Sequence, residues 1–261
     1  MEYFFYFSLG AFAGLVAGLL GVGGGLIIVP VLTGVFVSQG LPETAIMHLA
    51  VGTSLATIVF TSLSSIRAHH RHGAVRWPVV AGLAPGIVGG AWGGAALAEA
   101  LPGALLRGLF GLFEFYVAVQ MLLNIKPRPS RGLPRGVGLM GAGSLIGALS
   151  TLVGIGGGTL TVPFLLWCNV PAREAIATSA ACGLPLALAG SLGFIVAGWN
   201  APDLPAASLG YVYLPALAGV VVASVFFAPL GAHLTHKLPA PHIKRAFAGL
   251  LLMLSAYMLL G

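Results

Sequence analysis

The chain has 261 residues, 58% hydrophobic and only 7% charged, with a formal net charge of +6 at pH 7. So little polar surface cannot coat a water-soluble globule, and the apolar runs are long enough to cross hydrocarbon, which makes this a polytopic helical membrane protein. A transmembrane barrel is excluded, because barrel strands alternate apolar and polar residues, whereas 79–97 and 246–260 are apolar on every side. The basic excess reads as a topology signal rather than a nucleic-acid partner. Cys168 and Cys182 stand in apolar surroundings and indicate neither a disulfide framework nor a metal site.

In chain order, hydrophobic segments run at 3–20, 26–38, 44–66, 77–99 and 103–124, then at 136–153, 158–169, 173–198, 208–234 and 240–260. The first lacks the basic flank of a signal peptide, so it is expected to stay as a membrane helix. Gly21-Val22-Gly23-Gly24-Gly25 breaks the first pair and is followed by Val29-Pro30 and Leu32. Gly154-Ile155-Gly156-Gly157-Gly158 breaks the sixth and seventh segments in the same way and is followed by Val162-Pro163 and Leu165. Gly10 and Gly14 recur as Gly143 and Gly147, and Gly94-Ala95, Leu101-Pro102 and Phe110 recur as Gly231-Ala232, Leu238-Pro239 and Phe247. The chain is therefore read as repeat 1 (1–125), a basic linker (126–135) and repeat 2 (136–261).

The basic loops 67–76, 126–135 and 236–245 are all expected on the cytoplasmic side. If 3–38 and 136–169 were single crossings, the last of these loops would fall opposite the other two. If each is a hairpin or re-entrant segment, all three share one side, with Glu2, Glu43, Glu99 and Asp203 on the other and Arg107 the one basic residue among them. The first glycine-broken segment then dips in from outside and the second from inside, so the two repeats have inverted topology. The segment 158–169 spans roughly 18 Å as a helix, short of a hydrocarbon core of roughly 30 Å, so it is expected to stop partway.

A short helix starting after Gly25 or Gly158 turns its free N–H groups and positive dipole end toward the tip, which is an anion site. Gly21, Gly23, Gly24, Gly25, Gly154, Gly156, Gly157 and Gly158 are accordingly expected to line the substrate, with Pro30 and Pro163 bending the helices. Thr53-Ser54 and Thr178-Ser179 follow the two tips at comparable distances and add hydroxyls. Glu114 is the one carboxylate deep in a span and is a candidate proton-coupling group, with pairing to Arg107 as the structural alternative. His69 and His70 lie in the basic run 67–72, where charge sets orientation, and they are secondary coupling candidates. Gly82, Gly86, Gly90 and Gly94, spaced by four, read as a helix-packing ladder. No Gly-Lys-Ser/Thr follows either tip, so nucleotide binding does not fit.

The duplicated Gly-[Val/Ile]-Gly-Gly-Gly-x3-Val-Pro-x-Leu, together with 50–55, Pro85-Gly86 and Ala177-Thr178-Ser179, resembles the sulfite exporter TauE/SafE family over nearly the whole chain. The resemblance implies a multi-pass transporter of the bacterial cytoplasmic membrane with no cofactor. It implies a small sulfur oxyanion or organosulfonate as substrate (sulfite, thiosulfate or sulfoacetate) and protons as coupling ion. A passive anion channel is the alternative, and an intramembrane hydrolase using Ser54 or Ser144 with His48 is a third reading that no motif supports.

Overall fold

The computed structural model describes residues 2–20, 24–71, 73–123, 130–235 and 240–261. Ten helices account for almost all of them: α1 (Glu2–Leu20), α2 (Gly25–Ser38), α3 (Glu43–Arg71), α4 (Trp77–Ala100), α5 (Gly103–Leu122), α6 (Val137–Val153), α7 (Gly158–Trp167), α8 (Ala172–Ala197), α9 (Leu214–Thr235) and α10 (Ala240–Leu260). Among the described residues α3, α4, α5 and α8 are each long and apolar enough to cross a membrane. The protein is an all-α polytopic membrane protein.

Proline and glycine punctuate the chain as their chemistry requires. Pro42, Pro102 and Pro171 stand immediately before α3, α5 and α8, where each carbonyl accepts the first helical amide bond, from Ala45, Leu105 and Ala175. Gly154 ends α6 in the left-handed region at φ +70, and its N–H and that of Ile155 donate to Thr151 O and Ser150 O.

Two boundaries differ from the sequence expectation. The segment expected at 208–234 begins with a small hairpin, β1 (Ser208–Leu209) against β2 (Val212–Tyr213), and becomes helical only at Leu214. Gly210 turns it at φ +53, and a Cβ there would stand 2.1 Å from Ile195 O, so the turn is pressed onto α8. Helix α3 runs past residue 66 to Arg71, because the Arg/His run contains no breaker before Gly73.

The packing is reciprocal. Gly10 and Gly14 of α1 abut Val220 and Ser224 of α9, at hypothetical Cβ distances of 2.5 and 2.7 Å, and Ser224 Oγ donates to Gly10 O. Gly143 and Gly147 of α6 abut Leu83 and Ile87 of α4 at 2.4 and 2.3 Å. The ladder Gly82, Gly86, Gly90 and Gly94 faces Leu139, Met140, Ser144 and Ala148 on α6, which is the close helix packing its spacing suggested. In the centre α3 and α8 lie antiparallel, with Gly52 beside Phe194, Leu55 beside Gly190 and Ser62 beside Gly183.

The short helices close back on their partners. Gln39 Nε2, just after α2, donates to Tyr6 OH near the start of α1 at 2.8 Å. The amides of Ser130 and Arg131, before α6, donate to Trp167 O at the end of α7. Each glycine-broken pair therefore starts and finishes at one end of the molecule. Helices of 14 and 10 residues reach only about 21 and 15 Å.

Candidate functional site at the glycine tips

The starts of α2 and the α6–α7 turn meet inside the bundle. A Cβ on Gly25 would stand 2.6 Å from Gly154 O, 2.9 Å from Ile155 Cα and 3.4 Å from Ser54 Oγ. Ser54 Oγ donates to Gly154 O at 2.8 Å, tying α3 to the second tip. Gly154 itself packs on Val29 and Val51. Its N–H is taken by the α6 cap, and its carbonyl by Ser54. Gly156 stands next to Ile58, and Gly157 next to Thr161 and Gly183. Gly24, Gly25, Gly156 and Gly157 are buried, and Gly158 is half-buried. Gly21 and Gly23 lie outside the described residues.

The two helix starts are electrostatically alike. In α2 the amides of Ile27 and Ile28 both donate to Gly24 O, leaving those of Gly25 and Leu26 without an intrahelical acceptor. In α7 the first such bond is Thr161 N to Gly157 O, so the amides of Gly158, Thr159 and Leu160 precede it. Pro30 and Pro163 occupy the same place in each helix and leave the carbonyls of Leu26 and Thr159 without their usual donor. The partial positive end of α2 thus abuts the turn that leads into α7, whose own start carries the same polarity, and the two tips touch through backbone atoms of Gly25, Gly154 and Ile155.

The hydroxyls expected beside the tips divide by role. Thr53 Oγ1 accepts from the Tyr213 amide at 2.9 Å, and Thr178 Oγ1 accepts from the Arg76 amide at 3.0 Å. Tyr213 and Arg76 each stand just before a helix, α9 and α4, so both threonines cap a helix of the other half. Sequence reasoning had no signal for this use. Ser54 is committed to Gly154, whereas Ser179 is buried with no hydrogen-bond partner among the described residues. The same is true of Ser150, Thr151 and Thr161, at the end of α6 and in α7, and of the half-buried Thr159. None of these four was singled out from the sequence.

Glu114 is fully buried on α5, and neither carboxylate oxygen has a partner among the described residues. Its expected alternative role in a pair with Arg107 is overturned. Arg107 turns to α10 instead, where Nη2 donates to Tyr257 O at 3.1 Å and the guanidinium stacks on the Tyr257 ring. His70 lies at the far end of α3, where Nδ1 accepts from Trp77 Nε1 at 3.3 Å. The side chain of His69 is outside the described residues. His48 Nδ1 and Nε2 face the carbonyls of Thr44 and Ala98, with Ser54 committed elsewhere and Ser144 in the α4–α6 seam, so no Ser–His dyad forms.

Near the α4 start, Arg76 makes an ion pair with Glu174. At the opposite end Tyr213 meets Tyr6 and Phe36 edge-on, with ring centroids 6.2 and 5.7 Å away. The positions before α4 and α9 thus carry a charged contact at one end and an aromatic one at the other.

The family model described as sulfite exporter TauE/SafE matches residues 6–258. A "Probable membrane transporter protein" of Haemophilus influenzae is 40% identical over 254 residues, covering 97% of this chain and 96% of its own length. A "Probable membrane transporter protein" of Methanocaldococcus jannaschii is 27% identical over 97% of this chain and 93% of its own. The similarly named YdhB of Bacillus subtilis is 30% identical over 92% and 96%. No solved structure matches.

Proposed function

The chain belongs to the sulfite exporter TauE/SafE family and is a multi-pass membrane transporter, not an enzyme, and from that premise we propose that it moves a small sulfur oxyanion or organosulfonate across the bacterial cytoplasmic membrane, driven by protons. The observation that carries this reading is the contact of the α2 start at Gly25 with the glycine turn at Gly154–Ile155 that leads into α7, with no basic side chain at the contact among the described residues. Amide donors and dipoles replace the anion's hydration shell without a permanent cation in the membrane. The repeats are inverted, and alternating access comes from rocking one against the other about the tips. The antiparallel α3 and α8, the reciprocal glycine seams and the exchanged Thr53 and Thr178 caps support this symmetry. Glu114, buried and unpartnered, is the candidate coupling carboxylate, with His69 and His70 as secondary candidates.

The test is reconstitution in liposomes with radiolabelled sulfite and thiosulfate, with and without an imposed pH gradient, and with phosphate and citrate as competitors. Accumulation beyond equilibrium only with the gradient, inhibited by sulfur anions alone, is the expected result. Downhill flux indifferent to the gradient would establish a channel, and absence of flux would remove the substrate assignment.

A further inference from the structure

The two tips are alike in backbone and unlike in side chain. Counted from the equivalent glycines, Gly25-Leu26-Ile27-Ile28 of α2 corresponds to Gly158-Thr159-Leu160-Thr161 of α7. A Cβ on Gly24 would meet Ile28 Cδ1 at 3.0 Å, and one on Gly157 would meet Thr161 Oγ1 at 3.4 Å, so Ile28 and Thr161 occupy the same place relative to their tips. One is a buried methyl group and the other a buried hydroxyl. The neighbouring pair differs in the same sense. Ser54 spends its proton on Gly154 O, while its counterpart Ser179 is 1% exposed and unpartnered. Gly157 stands by Gly183 of α8, and α7 leaves the tip as α8 approaches it, so Thr161 comes level with Ser179 one turn away.

Several hydroxyls of this chain satisfy themselves locally, whereas those at the end of α6, in α7 and at Ser179 do not. Thr33, Thr57, Thr61 and Ser191 all donate to carbonyls three or four residues earlier in their helices, at 2.7 to 3.2 Å. Thr161 and Ser179 are as helical and as buried, yet neither makes such a bond. Buried donors left open beside a cluster of free amides are what a bound oxyanion requires.

Resting on the transport reading above, we infer that the anion is gripped asymmetrically, with Thr161 and Ser179 donating hydrogen bonds to its oxygens beside the α7 amides, while the α2 tip supplies backbone amides alone. The half-buried Thr159 adds a third hydroxyl at the same helix start. The second tip is then the specificity-determining one. A multi-oxygen anion finds side-chain donors there, and the apolar wall of Ile28 closes the opposite side.

The experiment compares saturable thiosulfate flux in proteoliposomes for the wild type, Thr161→Val, Thr161→Ser and Ser179→Ala, with monodispersity in detergent as the folding control. Loss of one hydrogen bond to a charged ligand is expected to raise KM about tenfold or more in Thr161→Val and Ser179→Ala, with Thr161→Ser near wild type. Unchanged KM in both variants overturns the inference, as does a Thr161→Val defect that serine fails to rescue, because that marks packing. Ser179→Ala only removes volume, so it decides the matter if the valine variant does not fold. A sodium requirement that shifts while the anion KM stays fixed also overturns it, in favour of a cation site. A folded wild type that moves no sulfur anion would sink the transport reading, and this inference with it.

Discussion

Gly25→Ala separates backbone contact from open space at the tips. The added methyl would stand 2.6 Å from Gly154 O and 2.9 Å from Ile155 Cα, both main-chain atoms that cannot swing aside. Relief to ordinary contact requires the tips to part by several tenths of an ångström, against the Ser54–Gly154 hydrogen bond and the Val29 and Val51 packing on Gly154. Overpacking of this kind costs about 1–3 kcal/mol, which for a chain of this size corresponds to a fall in Tm on the order of 4–8 °C at the middle of the range. Gly156→Ala is the control, since its nearest neighbour would be Ile58 Cγ2 at 3.6 Å. Gly24→Ala is intermediate, because it meets the mobile end of Ile28 at 3.0 Å. Thermal unfolding in detergent, read by the loss of monodisperse protein, should rank Gly156→Ala above Gly24→Ala and Gly24→Ala above Gly25→Ala. A Gly25→Ala protein as stable as the wild type, with normal flux, would refute the claim that the tips are in backbone contact.

Glu114→Gln keeps the shape of a buried, unpartnered carboxyl and removes its exchangeable proton, so gradient-driven accumulation should be lost while anion exchange at equal pH continues; intact accumulation would remove Glu114 from coupling. Thr53→Val and Thr178→Val each delete a helix-cap acceptor, and each should destabilise by about 1 kcal/mol in thermal unfolding. Glu174→Gln should cost less than that, because the side chains of Arg76 and Glu174 are 43% and 34% exposed and screened ion pairs are weak. In a background lacking Cys168 and Cys182, Asp203→Cys should react with an impermeant maleimide in intact cells, and Asn169→Cys only after permeabilisation. The reverse pattern, with Asn169→Cys labelled in intact cells and Asp203→Cys only after permeabilisation, would exclude the inverted arrangement.

Much of this fold is legible because membrane helices announce themselves by length and apolarity, and because the two glycine tips repeat at matching positions. Eight of the ten helices keep their expected extents to within two or three residues, and the Gly82–Gly94 ladder packs as its spacing implies. The exceptions are local. Ser208–Tyr213 is apolar enough to pass for helix, but Gly210 turns it back onto α8. The Arg/His run continues α3 because charge alone does not stop a helix. At the site, the glycines stand out in the sequence, whereas the caps at Thr53 and Thr178 do not, since each depends on an amide more than a hundred residues away. Thr161 was within reach. Setting 158–161 beside 25–28 reveals hydroxyls where 25–28 has leucine and isoleucine, but only the folded chain shows that Thr161 lacks the carbonyl partner that Thr33, Thr57 and Thr61 find.

The central claim, an oxyanion held between two glycine-tipped helix starts, is tested most directly by locating selenite, a heavier analogue of sulfite, from its selenium anomalous signal in crystals of the protein with unlabelled methionine. The expected result is a peak within hydrogen-bond reach of the first amides of α2 and α7 and displaced toward Thr161 and Ser179. A peak elsewhere, with no anion within hydrogen-bond reach of either helix start, would contradict the assignment.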